Sequence, residues 1–440
     1  MAGVALPGIG GGAFDEHRPP DAALVGDCVH CGFCLPACPT FRLWGQEMDS
    51  PRGRIHLMAQ GLGGEAMSDS LVGHIDACLG CMACVTACPS GVSYDRLITA
   101  TRAQIERRYP RSRRDRALRA AIFALFPYRR RLAALRGPLR AYQRSGLEGV
   151  VRRCGLLGRL PQPLRTMASL LPPVGPVVEV AQHTAALGTR RGSVALLTGC
   201  VQHALFSSVN AASVEVLAAE GFDVVVPPGQ GCCGALSEHC GREDEAARFA
   251  RHSIDTFASL DVDSLVINSA GCGSSMKEYA HLLAEDPRYR ERAGELAART
   301  YDIAEFLAIH EAVAVRHPID LKVAYHDACH LAHAQGIRAE PRRLLGAIPG
   351  VEVVEISDAD LCCGSAGVYN LLNPGPAAEL GDAKAAAVAA TGADLLVAAN
   401  PGCTLQITAG LRRRGVELPV AHTIEVLAAS LRGAGAGGLG

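Results

Sequence analysis

The chain has 440 residues, of which 49% are hydrophobic and 20% charged, and its formal net charge is −1. This length predicts two to four domains with buried cores. No apolar run approaches the roughly 20 residues that a membrane-spanning helix needs, so the sequence favours a soluble protein, peripheral on a membrane at most. Its 18 cysteines, many in Cys-x-x-Cys spacings, indicate metal ligation in a reducing compartment, and we expect a cytoplasmic protein.

Residues 1–27 are rich in glycine and proline and predict a flexible N-terminal tail. They lack the basic stretch followed by an apolar stretch that marks a secretory signal peptide. Four glycines between Gly8 and Gly12 suggest a nucleotide-binding loop. No strand pattern precedes them and no helix pattern follows, so a tail is the better interpretation.

Two runs of cysteines share one spacing and predict a ferredoxin-type domain over residues 28–100. The first run is Cys28, Cys31, Cys34 and Cys38 followed by Pro39, and the second is Cys78, Cys81, Cys84 and Cys88 followed by Pro89. Thiolates are the soft ligands that iron–sulfur clusters take, and bacterial ferredoxins bind [4Fe–4S] clusters with this spacing. Zinc ribbons and disulfides are the alternatives, and two identical runs that each end in Cys-Pro argue against both.

In two-cluster proteins the fourth cysteine of a run ligates the cluster of the other run. We therefore predict two [4Fe–4S] clusters with crossed ligands. One is held by Cys28, Cys31, Cys34 and Cys88, and the other by Cys38, Cys78, Cys81 and Cys84. Between the runs, Arg52 and Arg54 lie either near the anionic clusters, where charge tunes the reduction potential, or in solvent. Short helices are predicted at residues 69–77 and 94–107.

Residues 101–190 predict a basic helical linker. The stretch 101–166 has 18 arginines, no lysine and three acids, a net charge of +15. Apolar groups such as residues 120–126 lie among the arginines, as in helices that bind an anionic membrane surface or an acidic partner. A solvated linker is the third interpretation. Nucleic acid is disfavoured, because the chain has no recognisable reader motif and no aromatic stacking platform.

From residue 191 onward the chain repeats one pattern, which predicts two tandem α/β domains at residues 191–312 and 320–432. In each copy one strand pattern leads to a cysteine, the next leads to Cys-Cys-Gly, and the third leads to a last cysteine. Alternating strands and helices predict a parallel sheet, whose strand ends collect ligands at one edge. Four thiols should therefore converge in each copy: Cys200, Cys232, Cys233 and Cys272 in the first, and Cys329, Cys362, Cys363 and Cys403 in the second. The predicted fold class is α+β multidomain.

These motifs resemble the glycolate oxidase iron–sulfur subunit family from Cys28 to the C-terminus. The most specific parts are the first cysteine run with Pro51-Arg52-Gly53-Arg54 downstream, the second run with Pro89-Ser90-Gly91-Val92, and the paired Cys-Cys-Gly domains. The Cys-Cys-Gly domain is shared with heterodisulfide reductase, the anaerobic glycerol-3-phosphate dehydrogenase small subunit and lactate-utilisation proteins, which stay open as alternatives. The resemblance implies an electron-transfer subunit beside a flavin subunit that oxidises glycolate to glyoxylate, often at the inner face of the cytoplasmic membrane.

The sequence departs from the heterodisulfide reductase-like members, whose domain ends in Cys-x-x-Cys and offers five thiols for a non-cubane cluster. Ser275 and Gln406 stand where the last cysteine of each copy would be. A four-thiolate cluster, a zinc ion and a packed site without metal all stay open for each copy. The histidines that flank Cys329 are expected in supporting roles more often than as ligands; they are His326, His330 and His333.

The function that these features predict is electron relay. A flavin on a partner chain takes two electrons from a 2-hydroxy acid, and paired clusters pass them on singly. This chain is expected to bind neither FAD nor NAD, because Gly229 and Gly231 run directly into Cys232 and lack the dinucleotide-binding context. Two rivals stay open: an enzyme that reduces a disulfide or quinone at the Cys-Cys-Gly sites, and a scaffold in which that half docks the flavin subunits.

Overall fold

The computed structural model describes residues 12–154 and 156–435. It confirms the predicted α+β multidomain class, with a helical N-terminal unit, a helical basic segment and two copies of a small sheet flanked by helices. Within the described ranges, none of the helices has the length and apolar character that crossing a membrane requires.

The N-terminal unit is helical and carries both cysteine runs. Its helices are α1 (Ala22–Gly26), α2 (Pro39–Trp44), α3 (Pro51–Leu62), α4 (Asp69–Ala77), α5 (Ala83–Thr86) and α6 (Tyr94–Arg108), with a 3-10 turn at Glu47–Asp49. Ser50 and Ser68 begin α3 and α4, because their side chains accept backbone N–H groups of the first turn. Helices α4 and α6 confirm the helices predicted at residues 69–77 and 94–107.

The segment before α1 differs from the flexible tail predicted for residues 1–27. Ala13 and Phe14 are buried in the core of the N-terminal unit. Burying an aromatic ring is worth about 1.5–3 kcal/mol, which offsets part of the chain entropy lost on ordering the segment. The tail prediction is therefore wrong for residues 12–27. Residues 1–11, with three of the four N-terminal glycines, lie outside the described residues.

The basic segment continues as helices that pack on the rest of the chain. They are α7 (Arg113–Leu125), α8 (Arg129–Arg144), α9 (Leu147–Arg153) and α10 (Gln162–Leu170), with a 3-10 turn at Leu156–Arg159. Ile122 and Phe123 of α7 are buried against Val368 and Leu371 of the C-terminal half. Folding therefore uses the most buried apolar side chains of residues 120–126, and any contact of this segment with a membrane would depend on its arginines.

Part of the +15 charge of the basic segment is neutralised inside the protein. Arg111 pairs with Asp76 at 2.7 Å, and Arg107 pairs with Glu243 at 3.3 Å, so acids outside the segment meet its cations. By contrast, Arg113 is exposed on α7 and forms no ion pair with any residue in the described ranges. The segment therefore keeps an exposed basic face, but a smaller one than its total charge suggests.

The first copy is built on a five-stranded sheet of order β1-β3-β2-β4-β5. Its strands are β1 (His183–Thr184), β2 (Gly192–Leu197), β3 (Phe222–Val225), β4 (Ser264–Ile267) and β5 (Thr300–Asp302), and its helices are α11 (Val201–Leu205), α12 (Ser207–Ala219), α13 (Ala235–Glu238), α14 (Glu243–Phe257), α15 (Ala270–Lys277), α16 (Tyr279–Leu282), α17 (Arg290–Ala298) and α18 (Ile303–Ile309). Strands β2 to β5 are parallel, as predicted. Strand β1 pairs antiparallel with β3, His183 opposite Val225. The sheet therefore begins inside the stretch predicted as linker up to residue 190.

The second copy is built on a parallel four-stranded sheet of order β7-β6-β8-β9. Its strands are β6 (Leu321–His326), β7 (Val351–Glu355), β8 (Leu395–Ala398) and β9 (Val420–Ala421), and its helices are α19 (Cys329–Ala332), α20 (Ala339–Gly346), α21 (Tyr369–Leu372), α22 (Pro374–Ala389), α23 (Pro401–Arg413) and α24 (Thr423–Leu431). In both copies the first strand of the repeat lies between the second and the third. The last helices repeat as well: α18 and α24 each begin with a reciprocal capping box, Asp302 with Glu305 and His422 with Glu425.

The two copies share one hydrophobic core. Val194 and Val224 of the first sheet belong to the same buried cluster as Val323 and Val397 of the second. The strand ends that carry the cysteines are therefore held in a fixed relation to each other and to the N-terminal unit.

Candidate functional site

The two cysteine runs fold into loops of the same backbone conformation. His30 and Gly32 flank Cys31 with positive φ angles of 54° and 87°, and Gly80 and Met82 flank Cys81 with 63° and 61°. The left-handed conformation costs about 1–2 kcal/mol at a residue that is not glycine. Its presence at His30 and Met82 indicates that both loops are shaped for the same task.

Four cysteines from the two runs line one small cavity, and they are the predicted second ligand set: Cys38, Cys78, Cys81 and Cys84. The wall of the cavity is otherwise mostly apolar, with Leu79 and Met82 among the lining residues. Among the described residues, no three of these sulfur atoms lie within 4.8 Å of one another. A single ion could therefore not bind three of these sulfur atoms without rearrangement, whereas a polynuclear cluster bridges longer distances between its ligands.

A buried arginine lies beside this cavity. The Arg54 side chain is only 1% exposed, and its Nη1 atom is 3.9 Å from Cys38 Sγ. Its Nε donates to the His74 carbonyl at 2.7 Å, and the Asp49 carboxylate is 3.5 Å away. Burial opposes the charged form, but the charges of Cys78, Tyr94, Cys38 and Asp49 outweigh it and raise the pKa of Arg54. A permanent cation is therefore fixed next to the thiols.

Cys78 shows how this surrounding favours a thiolate. Burial alone would raise the pKa of the Cys78 thiol, but the charges of Arg54 and Arg102 lower it below its usual value, helped by two donors. The Gly80 N–H lies 3.3 Å from Cys78 Sγ, and the Tyr94 hydroxyl lies 3.6 Å from it. Donors to a ligand sulfur are one of the means by which a protein sets the potential of a cluster.

The other predicted ligand set lies nearer the surface. Cys28, Cys34 and Cys88 are half-buried and pack against the N-terminal core, whereas Cys31 is exposed. Burial, with the neighbouring thiols, raises the pKa of Cys34 to about 11. Arg52 supports this loop, since its Nη1 donates to the His30 carbonyl at 2.8 Å.

In the first Cys-Cys-Gly copy, the four predicted cysteines lie together. Cys200 Sγ is 3.7 Å from Cys232 Sγ, and the thiol of Cys233 contacts that of Cys272. Gly234 follows the pair with a φ of 91°, and a Cβ there would lie 3.1 Å from the Ala246 carbonyl oxygen. The glycine of the motif is therefore required by its backbone conformation and by the close approach of α14.

The second copy repeats this arrangement and adds a histidine. Cys329 Sγ is 4.0 Å from Cys362 Sγ. The donor atoms of Cys363, Cys403 and His326 all lie within 4.8 Å of one another. Gly364 has a φ of 86°, as Gly234 does in the first copy, and a Cβ there would lie 2.6 Å from the Ala377 carbonyl oxygen.

The residues at the missing fifth thiol positions are used for packing. The Ser275 hydroxyl donates to the Glu238 carboxylate. Gln406 donates to the Ala377 carbonyl and accepts from the Asn370 amide. Both side chains are thus satisfied by protein groups.

The other two histidines near Cys329 differ in their surroundings. His330 Nδ1 lies 3.5 Å from Cys329 Sγ. His333 instead lies 3.0 Å from both the Thr86 hydroxyl and the Asp360 carbonyl. These contacts suit the supporting roles expected for both residues.

The N-terminal unit contacts the second copy, and no motif in the sequence predicts this contact. Cys81 packs in one apolar cluster with Cys329 and Cys362, and Leu79 and Tyr369 belong to the same cluster. About 250 residues separate the two sides in the chain, so no local pattern could predict their meeting. The cavity lined by Cys38, Cys78, Cys81 and Cys84 and the second Cys-Cys-Gly site are consequently neighbours.

This architecture defines a class: an iron–sulfur protein with a ferredoxin-type unit that carries two cysteine runs, joined to two cysteine-rich α/β units. Family models match the chain in the same order. A 4Fe-4S dicluster domain matches residues 25–92, the linker region of the glycolate oxidase iron-sulfur subunit matches residues 114–171, and the cysteine-rich domain matches residues 194–277 and 323–408.

Curated relatives extend the match over nearly the whole chain. A probable glycolate oxidase iron-sulfur subunit of Bacillus subtilis (strain 168) is 40% identical over 403 residues, which cover 89% of this chain and 90% of that protein. The glycolate oxidase iron-sulfur subunit of Escherichia coli (strain K12) is 32% identical, covering 95% and 98%. Lactate utilization protein A of an Exiguobacterium species is 34% identical but covers 53% of this chain and 96% of its own length. The chain belongs to the family of glycolate oxidase iron–sulfur subunits.

Proposed function

We propose that the chain is the electron-transfer subunit of a flavin-dependent glycolate dehydrogenase, taking electrons from a flavin-bearing partner and passing them to a quinone-type or membrane acceptor. The observation that carries the proposal is the cavity lined by Cys38, Cys78, Cys81 and Cys84, two runs meeting in one site. The relatives named as glycolate oxidase iron-sulfur subunits support the choice of glycolate.

The residues that line this cavity fit a [4Fe–4S] cluster, and the duplicated cysteine run supports a second one. Thiolates converge on a mostly apolar cavity beside the buried cation of Arg54, and a buried cation is best matched by an anionic partner. One cluster would be held by Cys38, Cys78, Cys81 and Cys84, and the other by Cys28, Cys31, Cys34 and Cys88. Such clusters supply one-electron transfer when bound, which suits the reoxidation of a two-electron-reduced flavin in two single-electron steps.

The protein side of this relay is a set of fixed charges and donors. Arg54 and Arg102 hold Cys78 in a field that favours the thiolate. The Gly80 N–H and the Tyr94 hydroxyl point at the same sulfur. Because these groups are held by the fold, they need no reorganisation when charge arrives, and the apolar cavity wall keeps water from screening them.

The surface around Cys31 is proposed as the place where the flavin-bearing partner docks. Cys31 is exposed, and the neighbouring Val29 and Phe33 side chains are 68% and 65% exposed. Exposed apolar side chains that adjoin one another can mark an interaction surface, and these two flank the exposed Cys31. A partner seated there would bring its flavin close to the more exposed of the two ligand sets.

The test uses the chain purified with and without its flavin-bearing partner. Glycolate should bleach the iron–sulfur absorbance of the complex and leave that of the isolated chain unchanged, because only the partner is proposed to oxidise the substrate. Dye reduction by the isolated, flavin-free chain with glycolate would contradict the proposal, as would a complex that turns over while its clusters stay oxidised.

A further inference from the structure

The second Cys-Cys-Gly copy contains a buried histidine that the relay does not use. His326 ends strand β6 and is 1% exposed. Apart from the thiols around it, neither ring nitrogen has a hydrogen-bond partner. Leaving a buried polar group unpaired costs about 1–3 kcal/mol. A ligand that binds one ring nitrogen of His326 would remove this free-energy cost.

Two cysteines meet this histidine at the distances that a single ion requires. The donor atoms of His326, Cys363 and Cys403 lie within 4.8 Å of one another, and all three residues are buried. Zinc binds thiolate sulfur at about 2.3 Å and imidazole nitrogen at about 2.0–2.1 Å, so two donors of a tetrahedral site lie about 3.5–3.8 Å apart. Small side-chain adjustments would therefore close the group around one ion.

The charge and the surroundings of this group also fit a divalent ion. Two thiolates and a neutral imidazole balance a charge of +2, which a buried site needs. Asn400 Nδ2 lies 3.5 Å from Cys403 Sγ and orients that sulfur. Cys362, which adjoins Cys363 in the sequence, stays a neutral thiol in this arrangement.

The first copy has the same four thiols but not the histidine. Leu197 ends strand β2 and pairs in register with the last residue of β4, as His326 does with the last residue of β8. The side chain of Leu197 lies in an apolar core cluster that also contains Cys200, Cys232 and Cys233. The first copy therefore offers no imidazole nitrogen at this position, and within the described part of the chain no three of its donor atoms lie within 4.8 Å of one another.

We propose that His326, Cys363 and Cys403 hold a single divalent metal ion of the zinc class, and that the first copy holds none. Binding replaces the S–H bonds of both cysteines with sulfur–metal bonds and releases two protons. Zinc has no redox chemistry, so the ion serves the structure. Cys362 packs against Cys81. The ion would therefore anchor the Cys-Cys-Gly loop of the second copy, which borders the cavity in the N-terminal unit. This inference does not depend on the substrate of the partner.

The test measures zinc and iron in the full-length chain, with X-ray absorption at the zinc edge. The wild-type chain should hold one zinc per molecule, with both sulfur and nitrogen donors. His326→Leu, which installs the residue found in the first copy, and Cys403→Ser should lose that ion. Cys272→Ser, the matched change in the first copy, should keep it. An iron loss of one atom per chain in the same two variants, without zinc, would also support the site.

A rescue variant separates loss of a ligand from loss of the fold. His326→Cys should keep the ion and show sulfur donors alone. Unchanged zinc and iron in both His326→Leu and Cys403→Ser would overturn the proposal. Equal metal loss in Cys272→Ser and Cys403→Ser would overturn the assignment to one copy.

Discussion

Arg54 offers the sharpest test of how this fold sets a cluster potential. Its guanidinium is buried 3.9 Å from Cys38 Sγ, so Arg54→Met removes a cation from the wall of the cavity that the four cysteines line. Reduction adds a negative charge to the site, which the cation stabilises. Removing it should therefore lower the reduction potential of the cluster held by Cys38, Cys78, Cys81 and Cys84.

The expected size of the effect follows from distance and burial. Unit charges about 4 Å apart interact by about 4 kcal/mol at an effective dielectric constant of about 20, which corresponds to about 170 mV at about 2.3 kcal/mol per 100 mV. The added electron spreads over the whole cluster, and Asp49, 3.5 Å from the guanidinium, already offsets part of the charge. We therefore expect a decrease on the order of 100 mV.

The assay is a redox titration followed by electron paramagnetic resonance on the full-length protein. Arg54→Lys keeps the charge and should retain most of the potential, although it loses the bond to the His74 carbonyl. Arg108→Met removes an exposed charge of α6 and should change the potential by much less. If Arg54→Met leaves the potential within about 20 mV of wild type, or Arg108→Met shifts it as much, the electrostatic reasoning is refuted.

Three further changes test other parts of the account. Phe33→Glu should slow reduction by the flavin-bearing partner at least several-fold while the iron content stays constant. Val315→Glu, at another exposed apolar residue, should leave that rate unchanged. Equal rates for the two variants would count against the docking surface. Arg113→Gln should weaken co-sedimentation with anionic vesicles about 5-fold, since each basic residue near such a surface contributes about 1 kcal/mol. Binding of the wild-type chain should weaken as the salt concentration rises. Equal binding to neutral and anionic vesicles would exclude this contact. Gly364→Ala should lower the melting temperature, because its Cβ would lie 2.6 Å from a carbonyl oxygen, whereas Gly375→Ala, with no atom within 4 Å, should not; similar melting temperatures would contradict the steric argument.

The cysteine spacing allowed much of the candidate site to be predicted, because ligand loops are local. Each run places its thiols within eleven residues, and the crossed set could be proposed before Cys38 was seen beside Cys78 and Cys81. The central strands of the repeat, such as β4 and β8, could also be predicted, since a buried parallel strand is a nearly continuous apolar run. Ligation by these cysteines stays a prediction.

What could not be predicted depends on contacts between distant parts of the chain. The sequence left open whether Arg54 lies near the clusters or in solvent, because an arginine is usually exposed, and only the structure shows it buried beside Cys38. The packing of Cys81 against Cys329 likewise joins separate units. The two-residue strand β1 carries too little pattern to be recognised. Phe123 is an apolar residue among the arginines of α7, and the residues that it packs against lie in the second copy. The sequence pattern alone is therefore the same for a protein contact and for a membrane contact.

The central claim is that two [4Fe–4S] clusters are bound with ligands crossed between the runs. The most direct measurement is iron and acid-labile sulfide per chain, with electron paramagnetic resonance of the reduced protein, for wild type and Cys38→Ser. The account predicts two magnetically interacting centres in the wild type. It predicts that Cys38→Ser perturbs the centre that Cys81→Ser also perturbs and spares the one that depends on Cys31. A single isolated centre, or a Cys38→Ser change that affects the Cys31 centre instead, would contradict it.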